Sequence, residues 1–152
     1  LDGTVVEYYD AERTLLKREE PVVFGRHHGT VTWWYRNGKK QFEAEYVSGE
    51  PEGRTVWYRE TQKGAPDSTE YEGFWTNGEL TLATTWDANN VQTGQVVDGN
   101  GTLTFHHPNG QKRMEENYKK GKLIGNKFWD DKGNPVESVD PSFIPARPRP
   151  IN

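Results

Sequence analysis

The sequence predicts an all-β fold: an elongated, twisted antiparallel sheet, built as a meander of repeated β-hairpins with little or no helix. Three observations predict it. A long segment recurs, with residues 29–53 (GTVTWWYRNGKKQFEAEYVSGEPEG) and residues 101–125 (GTLTFHHPNGQKRMEENYKKGKLIG) both running from glycine to glycine over 24 positions. Short runs of alternating apolar and polar residues are separated by turn signals at roughly the 8 to 12 residue spacing of an all-β chain. No run carries the 3.6-residue periodicity of an amphipathic helix.

Within the repeat, Asn37-Gly38 matches Asn109-Gly110, Phe42 matches Met114, and Glu43 matches Glu115. Tyr46 likewise matches Tyr118, and Gly49 matches Gly121. The step from Gly53 to Gly101 is 48 residues, two further periods. A period of this size means stacked units, each of which needs its neighbours to bury a face. The 152 residues read as one domain over residues 1–139 followed by a tail over residues 140–152. Only 32% of the chain is apolar, and much of that is six Trp, seven Tyr and six Phe, flat rings that suit a pleated surface. The expectation is a thin body with a modest core.

Charge and composition exclude several classes. The net charge of −4, from 23 acids mixed with 19 bases, lacks the basic stripe a nucleic-acid binder needs. It also disfavours contact with anionic membranes. The absence of cysteine removes disulfides, thiolate chemistry and cysteine-based zinc sites. No apolar run approaches the roughly 20 residues that span a bilayer. The chain starts at Leu1 rather than Met. A removed leader therefore stays open, and with it a periplasmic, secreted or lipid-anchored form as well as a cytoplasmic one.

In chain order, residues 3–25 form a degenerate first unit, with Val5, Val6, Tyr8 and Tyr9 on a strand and a turn at Asp10-Ala11-Glu12. Next, alternation over residues 30–35 puts Val31, Trp33 and Tyr35 on one face and Trp34 on the other. Asn37-Gly38 signals a type I′ turn. Phe42, Ala44 and Tyr46 then return along one face, opposite Gln41, Glu43 and Glu45. Residues 54–59 begin another unit, interrupted by a loop over residues 62–68. A hairpin follows around Asn77-Gly78, in which Leu80, Leu82, Thr84 and Trp86 alternate with Thr81, Ala83 and Thr85. Asp98-Gly99-Asn100-Gly101 breaks the next strand as a bulge or turn, without the distal glutamate of a calcium loop. The second clear hairpin turns at Asn109-Gly110, and Phe128-Trp129 leads the last strand. Nine to eleven strands are expected. Pro141, Pro145, Pro148 and Pro150 mark an extended tail, which either packs on the sheet through Phe143 and Ile144 or hangs free.

The pattern G-x-x-x-[WF]-x-x-x-NG-[KQ]-K, then E-x-x-Y, then G-x-x-x-G, resembles MORN repeats. It resembles most the bacterial variant repeat found in YwqK-type antitoxins. The resemblance is good over residues 29–58 and 101–134, partial over residues 73–94, and poor before Gly25 and after Val139. It implies consecutive hairpins laid side by side, and a role in protein contacts, either as a scaffold or as a partner that neutralises another protein. Gly29, Trp33, Gly38, Tyr46, Gly53 and Trp57 carry the first copy, and Gly101, Phe105, Gly110, Tyr118, Gly125 and Trp129 the second and its sequel.

Trp33, Trp57, Phe105 and Trp129 each lie four residues after a unit-opening glycine, so equal offsets place them in one row on one face, read as a core ladder of packed rings, with an exposed groove for a peptide, sugar or partner as the alternative. Trp34, Trp75, Trp86, Tyr35 and Tyr58 are then the candidates for contact with a partner or ligand, because exposed Trp and Tyr anchor interfaces. His27-His28 and His106-His107 are adjacent strand residues, which point to opposite faces and cannot chelate one metal as a pair. No nucleophile elbow, phosphate loop or HExxH motif is present, and Glu43 and Glu115, which recur by repeat, read as structural. The expectation is a non-enzymatic protein-interaction module with no cofactor or metal. The alternative is a carbohydrate- or peptide-binding surface of exposed aromatics. The unpaired end strands leave self-association through a sheet edge open.

Overall fold

The computed structural model describes residues 2–137. The Pro-rich tail, and the expected packing of Phe143 and Ile144, lie outside the described residues. Eleven strands of six residues or more are β1 (Gly3–Tyr8), β2 (Leu16–Val23), β4 (Gly29–Trp34), β5 (Lys40–Val47), β6 (Glu50–Arg59), β7 (Ser68–Thr76), β8 (Glu79–Trp86), β9 (Gln92–Val97), β10 (Asn100–His106), β11 (Lys112–Lys119) and β12 (Lys122–Trp129). Two short bridges, β3 (Arg26–His27) and β13 (Pro135–Val136), complete the set. All belong to one open antiparallel sheet in which chain neighbours are sheet neighbours, with β3 alone lying off the path against β2. The predicted meander therefore forms.

One register row runs across most of the sheet. Glu7 opposes Arg18, which opposes Trp33. Trp33 opposes Phe42, Phe42 opposes Trp57, and Trp57 opposes Tyr71. The row reaches Thr85 and Gly94, then resumes as Phe105, Met114 and Phe128. Its middle members are buried and make the core together with Val31, Leu80, Val96 and Leu103. Rings touch along it, Phe42 and Trp57 having centroids 4.5 Å apart.

The core faces itself because the sheet coils. Strands β7 and β11 are four steps apart, about 19 Å in a flat sheet with strands roughly 4.8 Å apart, yet Glu70 and Arg113 form an ion pair at 3.1 Å. Tyr71 on β7 and Phe105 on β10 bring their rings to 6.0 Å. Small inner residues between them, Ala83, Thr85 and Gly94, leave room for that approach. Coiling thus covers the face that a flat sheet would leave open.

Bulges drive the coil. The hairpins β1–β2, β4–β5, β6–β7, β8–β9 and β10–β11 each carry an extra residue on the return strand, one or two register pairs from the turn: Lys17, Gln41, Glu70, Thr93 and Arg113. A bulge bends its strand and raises its twist. It also breaks alternation. Strict alternation assigns Gln41 to the wet face, yet it lines a cleft with Trp33. An extra residue at Thr81 does the same on β8: Leu80, Ala83 and Thr85 turn in, while Leu82 is 47% exposed.

Two turn chemistries alternate. On one edge, Phe24-Gly25, Ser48-Gly49, Asn77-Gly78, Asp98-Gly99 and Lys120-Gly121 each hold two successive residues at positive φ, the type I′ signature. Asn37-Gly38, expected to be such a turn, is not one. Only Gly38 has positive φ, and Tyr35 N–H reaches the Lys39 carbonyl at 2.8 Å, closing a longer loop. The matching loop at Gly110 is closed the same way, His107 N–H donating to Gln111 at 2.8 Å.

The expected row also shifts at its end. Trp129 does not continue Trp33, Trp57 and Phe105; Phe128 does, opposite Met114. From Ala44 to Tyr46, two steps on β5 span four on β6, whereas from Asn117 to Tyr118 one step on β11 spans two on β12. The shorter return moves the core position back by one residue.

Candidate interaction surface

The edge bearing the bulges carries most of the predicted contact residues. Trp34 pairs with Lys40, Tyr58 with Thr69 and Trp86 with Gln92. Tyr8, His106 and Trp129 occupy the same place on their strands, opposite Leu16, Lys112 and Pro135. The result is six rings on alternate strands, each half-buried and each following a residue of the inner register row. Alternation directs them to the outer surface, and Lys112 Nζ lies 5.7 Å from the centre of the Trp129 ring. Strands two apart are about 10 Å apart, so the row is a ladder of aromatic rungs at that spacing.

Behind this ladder is a second one that sequence reasoning missed. The residue after four of the six rungs reaches to the backbone of a later unit. Tyr9 Oη donates to the Trp34 carbonyl at 2.7 Å, and Tyr35 Oη to the Tyr58 carbonyl at 2.6 Å. Arg59 donates to the Trp86 carbonyl, and His107 Nε2 bonds the Trp129 carbonyl at 2.8 Å. These clasps hold the backbone under four of the six rungs. The signal was available as a hydrogen-bonding side chain recurring after each aromatic pair, but its chemistry changes from phenol to guanidinium to imidazole.

Tyr35 therefore sits on the inner side as a clasp rather than as a free contact. Burial, with Glu70 and Glu60 nearby, pushes its hydroxyl up to about 12. Between pH 10 and 12 the folded chain keeps a proton that the unfolded chain releases, so stability falls as pH rises through that window. Tyr35→Phe is expected to cost about 1 kcal/mol at neutral pH through the lost hydrogen bond, and to flatten the alkaline decline. Urea midpoints for both proteins from pH 9 to 12 check this; parallel curves would contradict it. His106 beside this cluster is shifted down by its burial.

Trp75 departs from expectation. It is 8% exposed, inside the core, and its indole N–H donates to Tyr71 Oη at 3.2 Å. The bulge that follows it on β8 leaves it opposite Leu80, on the inward face. The histidines also separate. His27 is 1% exposed and bonds Glu20 at 3.1 Å, whereas His28 is exposed and accepts from Ser48 N–H at 3.3 Å. Among the described residues, no three His, Asp or Glu side chains gather so as to hold a metal ion.

At the start of the inner row the core is open. A cleft of about 330 Å³ is lined by Glu7, Tyr9, Lys17, Arg18, Trp33 and Gln41. Lys17 and Arg18 both engage Glu7, at 2.7 and 2.6 Å, and hold its carboxyl below the usual carboxylate range.

No curated protein and no solved structure matches the chain. Two segments, residues 28–48 and 100–120, match the family model of the MORN repeat variant. Each covers a β4–β5 or β10–β11 hairpin with its Asn-Gly loop, the units in which the inner row, the outer rung and the bulge coincide.

Proposed function

We propose that the chain is a non-enzymatic protein-interaction module whose binding face is the outer aromatic ladder. The observation that carries this reading is the equivalence of Tyr8, Trp34, Tyr58, Trp86, His106 and Trp129: six half-buried rings at one strand position. Core packing does not need them, since the inner row already fills the coil. Half-buried Trp and Tyr on rigid strands give large contact area at small entropic cost, and such residues dominate binding energy at interfaces. MORN repeats serve widely as binding modules, which agrees. Neutralisation of a partner protein, as in the antitoxins the repeat resembles, is the specific form this role takes in our reading.

The test places a photoreactive phenylalanine analogue at Trp34, Tyr58 or Trp86 in the source organism, with Phe42 and Glu115 as control positions. The expected result is one protein captured from all three rungs and from neither control. Trp34→Ala with Trp86→Ala should weaken that capture by about 30-fold or more, roughly 2 kcal/mol. Equal capture from rungs and controls would overturn the reading. The regular spacing of the rungs also favours a second reading, an extended glycan or peptide stacked along the ladder. Saturable quenching of tryptophan fluorescence by a member of a glycan panel, lost in the same double variant, would select it.

A further inference from the structure

The first and last long strands of the sheet each leave one side unpaired. β1 has β2 on one side and, among the described residues, no strand on the other. β12 meets β13 only at Phe128 and Trp129, so residues 122–127 keep an open side as well. An open strand side is a row of backbone N–H and C=O groups and a template for another strand. Both rows also expose apolar side chains. Val5 and Val6 on β1 are 37% and 42% exposed, and Leu123 and Ile124 on β12 are 38% and 64% exposed.

Charge separates the two ends. Residues 1–25 hold six acids and three bases, whereas residues 112–127 hold six bases and two acids, in a chain that is acidic as a whole. Lys17, Lys39, Lys40 and Lys112 each engage a carboxylate. Lys119, Lys120, Lys122 and Lys127 are exposed and engage none among the described residues. They bracket the open stretch of β12, three at the β11–β12 turn and Lys127 beside Phe128. Acids bracket β1 in the same way, Asp2 before it and Asp10 and Glu12 in the turn after it.

Laid antiparallel, the two open sides match. With Asp2 set opposite Lys127, Val5 and Val6 come to Leu123 and Ile124, and Asp10 and Glu12 come to the turn that holds Lys119 and Lys120. Opposite charges and apolar pairs on neighbouring strands attract, whereas like charges set opposite each other destabilise. Parallel pairing would instead bring Asp10 and Glu12 to Asp130 and Asp131, which follow β12. Two β1 edges, or two β12 edges, would bring like charges together.

We propose that the open side of β12 receives β1 of a second copy of this chain, antiparallel, so that the sheet continues from copy to copy in a head-to-tail assembly. The contact joins two different surfaces, so each added copy brings a further open edge unless a ring closes. The role assigned to the aromatic ladder does not enter.

Sedimentation velocity of the full chain over a range of concentrations tests this. The expected result is mass above that of one chain, growing with concentration and falling with added salt. Lys122→Glu with Lys127→Glu turns the basic edge acidic, and Thr4→Lys with Val6→Lys turns the acidic edge basic. All four sites are exposed, so the fold is expected to hold. Each double variant alone should associate at least about tenfold more weakly. An equal mixture of the two should associate more strongly than either alone, since each altered edge then meets the opposite charge. A single-chain mass at every concentration would overturn the proposal, as would association unchanged by Lys122→Glu with Lys127→Glu, or a mixture no stronger than its components. Association that appears only after removal of residues 138–152 would assign the β12 edge to the chain's own tail and overturn it too.

Discussion

Replacing Gly101 with alanine is expected to lower the unfolding free energy by roughly 3–5 kcal/mol, the sum of backbone strain and overpacking. Gly101 has φ +146°, a conformation L side chains rarely adopt. A Cβ at this position would overlap the Gln95 carbonyl oxygen and come within 3.1 Å of Val96 Cα. These are backbone atoms of β9, whose register partner at this point is Gly101 itself. Neither can retreat without parting β9 from β10, the join where the coil tightens. Gly125 holds the matching place one unit later, yet it has no positive φ, and a methyl group there would meet nothing within 4 Å. Gly125→Ala should therefore change stability by no more than about 0.5 kcal/mol. Urea denaturation of both variants decides it, compared at constant slope. Similar losses at the two sites would mean that motif position, and not local geometry, sets the demand for glycine.

That contrast also marks how far the sequence could be read. The two glycine-to-glycine segments carry period-2 patterns strong enough to specify strands, and their repetition specifies neighbours, so the meander was legible. The inner row was legible from Trp33 to Trp57 because those residues share an offset from a glycine. It failed at Trp129 because one residue fewer on β12 has no signature beyond a count, and strand identity flips with each such residue. Bulges failed for the same reason. Gln41 reads as polar and outward, and only the pairing of Trp34 with Lys40 reveals that it is the extra residue. Asn37-Gly38 misled on turn type, since Asn37 serves through its side chain, its Oδ1 accepting from Lys39 N–H at 3.1 Å and its Nδ2 donating to the Thr61 carbonyl at 2.8 Å. Of the candidate contacts, Trp34, Tyr58 and Trp86 were found by composition; their equivalence with Tyr8, His106 and Trp129 needed the register.

The first unit lacks the repeat pattern, and its stability rests on one buried carboxylate. Strand β2 meets β4 through only two register pairs, Arg18 with Trp33 and Glu19 with Thr32. Glu20, 2% exposed, strengthens this join: it accepts from Trp33 Nε1 at 2.8 Å and bonds His27 Nε2 at 3.1 Å. His27 in turn packs on the Tyr46 ring, with centroids 5.4 Å apart. One side chain therefore ties β2 to β3 and β4. Glu20→Ala leaves the buried His27 ring nitrogen and the half-buried Trp33 indole N–H without their partner and is expected to cost about 3–5 kcal/mol. Glu20→Gln keeps an acceptor for Trp33 and should cost about 1–2 kcal/mol. Adding His27→Ala to Glu20→Ala should cost less than the sum of the single changes, because the two share one interaction. The loss should also be local. Amides of β1 and β2 are expected to exchange faster in Glu20→Ala, while those of β5 to β7 keep their protection, since the long ladders there do not pass through Glu20. Uniform acceleration across the sheet would instead make the first unit an integral part of a single cooperative fold, with Glu20 supporting the whole coil.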